Sequence, residues 1–307
     1  MRIRMIIIST IFVFTGLYIT MSWGGPLADL ASSGEPRIMG IDSIKAAIQS
    51  RAGQTRKPHY VARARQPQNI HRQASRNKKP SLAQLLSDET STGKTKQMER
   101  IADVELKPSS PGQYASAEYF PTSPGMTWTY LVDGSTTSNV KVLPEVAIVG
   151  GIETSIAVNT KTGVSICFTS DSDGILIYRE LFPKVYIQGA NNVDLLVTFI
   201  PPIRLVDGLV EVGQTAYSMG TAQYTLLSQR RVIDLNYTAT YTLQTHKEVA
   251  VPAGTLDALH FHGIFAISGD FESDTFYVTK SVGLIKGVVE SHGQKRTVEL
   301  SSTNMGP

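Results

Sequence analysis

A chain of 307 residues with 18% charged and 8% aromatic residues has the composition of a globular protein and is long enough to bury a substantial core. Its single cysteine, Cys167, excludes an intramolecular disulfide. The formal charge of +3 conceals a division, because ten basic and no acidic residues lie between Ser43 and Ser87, which leaves −7 for everything else. The sequence pI near 8.8 thus describes an N-terminal stretch, and the remainder is mildly acidic.

Arg2 and Arg4 precede the apolar run Met5 to Met21, the order of charged and hydrophobic regions in an export signal. Residues 1–24 read either as a cleaved signal, with Ser22 and Gly24 as small residues before the cut, or as a retained anchor. The run is close to the lower limit for spanning a bilayer, and Trp23 at its far end suits the membrane interface. No cysteine lies nearby to carry a lipid. The expected location is the bacterial cell envelope, on the periplasmic side of the inner membrane or free in the periplasm.

Residues 25–111 read as a disordered basic linker. Pro, Gln, Ser, Arg and Lys dominate positions 50 to 80, and such a composition buries too little apolar surface to offset the entropy of ordering. Helices are expected at Asp42 to Gln49, at Ser81 to Leu86 and at Lys94 to Leu106. The basic run serves either as a self-repelling spacer or as a contact for acidic polymers and lipid headgroups. Nucleic acid is not an expected partner, since Tyr60 is alone as a stacking residue. Gly93-Lys94-Thr95 lacks the upstream glycine of a phosphate loop, Asp88 standing there instead.

From about residue 112 to 307 the pattern becomes that of antiparallel β structure. Pro121, Pro124 and Gly125 form a turn-rich opening. Trp128, Tyr130 and Val132 then share one face of a strand, and Asp133-Gly134 closes it as a hairpin. Turn signals recur at Gly150-Gly151, Asn159 to Gly163, Asp171 to Gly174, Asp207-Gly208 and Pro252 to Gly254. Val193, Leu195, Val197 and Phe199 alternate until Pro201-Pro202, which are expected to stop that strand. Ile233, Leu235, Tyr237, Tyr241 and Leu243 alternate with polar residues over a longer one. No amphipathic helix follows residue 112 to cover a sheet, so a strongly curved sheet or open barrel is expected. Its concavity is either open to an apolar or lipid-like ligand, lined by Trp128, Tyr130, Phe199 and Tyr241, or filled by its own side chains.

Three motifs carry a resemblance. Tyr119-Phe120-Pro121 leads through Pro124-Gly125 to Trp128 and Tyr130; Val251 to Leu259 reads VPAGTLDAL; and Tyr277 to Lys286 reads YVTKSVGLIK. The region Tyr119 to Leu300 resembles a family of uncharacterised bacterial cell-envelope β domains, with Leu256 where phenylalanine is usual and Ser281 where glycine is common. The resemblance implies the fold and brings no catalytic or ligand residues with it.

Chemistry-bearing patterns are sparse. His260 and His262 project from one strand face and could share a metal with His246 or His292, but a surface histidine pair is the expected reading. Asp171-Ser172-Asp173-Gly174 and Asp270 to Asp274 carry alternating carboxylates, yet neither continues as a calcium loop; the first reads as a hairpin turn and the second as a turn before a strand. Cys167 sits in a strand-like context and is expected to be buried as a small hydrophobe. No nucleophile elbow or His-Glu-x-x-His helix is present, so no enzyme, metal or cofactor is expected. The expected role is an exported, membrane-tethered β domain that binds an apolar ligand, with a structural or interaction protein of an envelope complex as the alternative.

Overall fold

The computed structural model describes residues 80–88, 110–187 and 190–304, so the apolar N-terminal segment and the helices expected at Asp42–Gln49 and Lys94–Leu106 lie outside the described residues. A short helix, α1 (Leu82–Leu86), precedes fourteen strands: β1 (Gln113–Ala115), β2 (Thr127–Val132), β3 (Thr136–Val149), β4 (Ile152–Asn159), β5 (Ser165–Asp171), β6 (Gly174–Ile187), β7 (Ala190–Asp207), β8 (Leu209–Glu211), β9 (Thr215–Leu226), β10 (Arg231–Val251), β11 (Gly254–Ile267), β12 (Asp270–Thr279), β13 (Gly283–Ser291) and β14 (Gln294–Asn304). Twelve of them form one closed barrel of antiparallel neighbours, in chain order except that β8 leaves to pair with β1. The seam that closes it is β14 on β2, from Val298↔Val132 to Asn304↔Thr127. The all-β, strongly curved sheet expected from the pattern is therefore present, and its two ends meet.

The local chemistry explains the hairpins. β2 alternates between half-buried and buried residues, with Trp128, Tyr130 and Val132 inward. Asp133 and Gly134 both have positive φ (48° and 70°), the geometry a two-residue turn needs to match strand twist. The other expected turns connect consecutive strands, at Gly150-Gly151, between Asn159 and Gly163, at Asp171 to Gly174 and at Pro252-Ala253. One expectation is corrected. Pro201-Pro202 do not end β7, which runs on to Asp207. Pairing with β9 stops at Ile200↔Thr221, and the register on β6 shifts between Ile177 and Arg179, so the two prolines occupy positions where the ladder does not require their missing N–H groups.

Alternation divides the apolar residues into two cores. The larger fills the barrel, with Ile166 and Phe168 of β5 among its members. Cys167 between them belongs to the second, on the outer face of the β3 to β7 wall, together with Ala147, Val149, Ile156, Leu181 and Leu196. Leu86 of α1, fully buried, covers that outer face. The covering segment is fastened by a buried cation: Arg179 donates to the Thr198 hydroxyl at 2.9 Å, to the Leu86 carbonyl at 2.6 Å and to the Asp88 carboxylate at 2.6 Å. Asp88 in turn accepts from the Gly150 N–H at 2.7 Å, and its own N–H bonds the Ile148 carbonyl. The helix expected at Ser81 to Leu86 is thus present and built into the barrel's wall.

One end of the barrel is closed by the chain entering it. β1 pairs with β8, a 3-10 turn follows at Ser116–Tyr119, and Tyr119, Phe120 and Met126 enter the core. The Ser116 N–H bonds the Gly208 carbonyl, the Ser281 N–H bonds the Glu118 carbonyl at 2.7 Å, and Lys280 pairs with Glu118 at 3.0 Å. Ser281 has φ 63°, which explains why glycine suits this position.

Candidate functional site

The four residues expected to line a ligand cavity all lie in the barrel interior, and all are used by the fold. Trp128 donates its indole N–H to the Val282 carbonyl at 2.6 Å, and the Tyr130 hydroxyl donates to the Leu284 carbonyl at 3.0 Å. The opening motif is thereby tied to the turn of the closing one. Phe199 packs edge-on against Tyr237 and Phe265, with ring centroids 5.5 and 6.3 Å away. Tyr241 meets Phe276 at 5.8 Å and donates its hydroxyl to Asp274 at 3.2 Å. The void beside Trp128, Tyr130 and Phe168 measures about 20 Å³. That is room for one water, against roughly 300 Å³ or more for a small-molecule site. At this void there is no room for the expected apolar ligand beside Trp128 and Tyr130, while Phe199 and Tyr241 are taken up by ring contacts with Tyr237, Phe265 and Phe276.

Sequence reasoning missed the polar groups inside. Asp270–Thr279 is strand β12 itself and not a turn before one; the turn lies at Ser268-Gly269. Alternation then points Glu272 and Asp274 inward, both fully buried, opposite Phe265 and Gly263. On β6, Glu180 is buried among Ile166 and Val197, and one of its carboxylate oxygens has no hydrogen-bond partner. Burial raises its pKa from 4.5 to about 8, so it is held neutral at pH 7. Burial, and then the charge of Asp274, raises the Tyr241 hydroxyl well above the usual phenol range. Glu180 could have been suspected as the one acid in the apolar run of β6, but a strand covered on both faces lacks the alternation that would have assigned its side.

The remaining candidates, apart from Cys167, are on the surface. His260 and His262 share the outer face of β11, where His260 stacks on Tyr277 with centroids 4.6 Å apart. Partial burial, then Lys247 and His262, lower the His260 pKa. His246 pairs with Asp257 at 2.9 Å, and His292 lies 3.7 Å from Asp270. Among the described residues no group of three or more His, Cys, Asp or Glu is placed to hold a metal. In the Asp171 turn the Asp173 N–H bonds the Asp171 carboxylate at 2.9 Å, a turn interaction. Cys167 is buried, and burial pushes its thiol up to about 12.

The open feature is on the outer wall of β9 to β12. Two rows cross it, Tyr217, Thr240, Ile264 and Ser273, then Met219, Thr238, Ala266 and Phe271, without a charged residue in either. Phe271 is 66% exposed and Met219 59%. Beside them a groove of about 470 Å³ is lined by Met219, Thr221, Asn236, Thr238, Ala266 and Ser268. The groove lies where β11 ends: the β10–β11 ladder begins at Tyr237↔Ile267, whereas β10 extends back to Arg231 with only β9 beside it among the described residues.

No protein-family model matches the chain, and no curated protein matches it. Three solved structures are similar to it at low identity. A candidate lipoprotein from Parabacteroides distasonis is 10% identical, with 60% of this chain and 97% of that one covered and a TM-score of 0.34. A candidate exported protein with a YmcC-like fold from Bacteroides fragilis is 11% identical, with 61% and 98% covered and a TM-score of 0.34. The hypothetical lipoprotein YmcC from Escherichia coli is 7% identical, with 59% and 85% covered and a TM-score of 0.33.

Proposed function

We propose that this protein is an exported, membrane-tethered, non-enzymatic interaction module of a bacterial envelope complex, whose barrel docks on a partner protein through its outer wall. The observation that carries this reading is the contrast between an interior occupied by buried aromatic rings and an outer wall with exposed Phe271 and Met219 around a groove of about 470 Å³. Exposed apolar patches of this kind mark association sites. Export and tethering rest on Arg2, Arg4 and the apolar run Met5 to Met21, and the basic linker supplies contact with acidic polymers or headgroups. Native mass spectrometry of the full-length protein taken from its own envelope tests the reading. A discrete protein complex without a small-molecule excess is expected. A monomer that retains a lipid-sized mass would overturn it in favour of a carrier.

A further inference from the structure

We propose that the edge of β10 at Arg231 to Leu235, unpaired among the described residues, with the groove beside it, receives an extended peptide segment with an acidic C-terminal end, added antiparallel as an extra strand. The proposal rests on the interaction-module reading and names the kind of partner it would take. Backbone direction fixes which groups are on offer. The Ser268 N–H bonds the Asn236 carbonyl, so Asn236 faces the β11 side, while Leu243 exchanges bonds with Gly213 and Gln214 on the β9 side. Since N–H and C=O of one residue point the same way in a strand, Val232 and Asp234 aim theirs at the open side, and Ile233 and Leu235 aim theirs at β9. A strand laid there continues the line of β11 beyond its turn. Its outward side chains fall on the groove at Asn236 and Met219, and its inward ones meet Leu235 and Tyr224, which are packed on the core without being fully covered.

Charge chooses the partner and its direction. Arg230 and Arg231 sit exposed at the start of the edge and pair with no carboxylate among the described residues, while Asp234 already accepts from Gln223 at 3.3 Å. An antiparallel segment brings its C-terminal end beside these arginines, so glutamates or a free carboxylate there are complementary. Main-chain bonds supply affinity and alternate side chains selectivity, as in other strand-addition sites.

The test uses the full-length protein and a labelled octapeptide of alternating threonine and valine ending in two glutamates, read by fluorescence anisotropy. Saturable binding is expected. Val232→Pro removes an open-side N–H and no bond to β9, and weakens binding about tenfold; Arg231→Glu weakens it similarly. A peptide N-methylated at alternate residues, which leaves the protein untouched, does not bind. Absence of saturable binding to the wild type, or equal binding of the methylated peptide, overturns the proposal. Sedimentation that shows a dimer abolished by Val232→Pro, with no peptide binding, assigns the edge to a second copy and overturns it also. If a Val232→Pro protein recovered from its envelope keeps its native complex, the edge proposal fails while the interaction-module reading stands.

Discussion

The barrel has two outer walls built on the same alternation and finished in opposite ways. On the wall of β3 to β7 the outward positions include Val149, Ile156, Cys167 and Leu181, and Leu86 with its Arg179 clasp seals them. On the wall of β9 to β12 the outward positions include Tyr217, Met219, Thr238, Thr240, Ile264 and Phe271, and nothing among the described residues covers Phe271 or Met219. β-branched and aromatic residues keep a strand stable on either face, so the choice between leucine-like and threonine-like outward residues records whether a cover belongs to the fold.

The comparison breaks most sharply at the clasp. Arg179→Ala leaves the Leu86 carbonyl and the Thr198 hydroxyl without their donor in a dry site, and should cost about 3–5 kcal/mol in denaturant unfolding. Leu86→Ala should cost about 2–4 kcal/mol through the cavity it leaves. Either change should expose Cys167, so thiol labelling that is slow in the native wild type should become fast; unchanged labelling would mean that α1 does not guard this wall. Between the walls, Glu180 sets a pH window. Its folded pKa is raised above the unfolded value, so the folded state binds the extra proton, and stability should fall as pH rises from about 4.5 to about 8. Glu180→Gln should remove that slope, as read by melting across the range. The smallest effect belongs to the bare wall. Phe271→Ser should change stability by less than about 0.5 kcal/mol, yet weaken association with the partner. A large loss of stability there would show that the patch is structural.

Legibility followed the range of the interactions. Trp128, Tyr130 and Val132 could be assigned to one buried face, and Asp133-Gly134 to a turn, because each depends on neighbours within a few residues. The burial of Cys167 was readable for the same reason, although its cover, Leu86, was not. The four aromatics proposed for a ligand were correctly seen as one apolar set, but alternation cannot distinguish a lined cavity from a filled one; that depends on rings arriving from distant strands, such as Phe265 and Phe276. Glu272 and Asp274 were misread because acidic residues near Ser268-Gly269 resemble a turn, and their period-two spacing was weaker than that local cue. The open stretch of β10 was invisible in sequence, since an edge exists only where a neighbouring strand is shorter.

The seam between β2 and β14 has a consequence for how the molecule comes into being. It joins Val132 to Val298, so the barrel cannot close until nearly all of it has been synthesised. Contacts this distant in sequence form slowly, because a long loop must be ordered before they repay its entropy. That delay leaves any chain truncated before β14 with two raw strand edges, at β2 and β13, and hence open to aggregation or proteolysis in place of assembly.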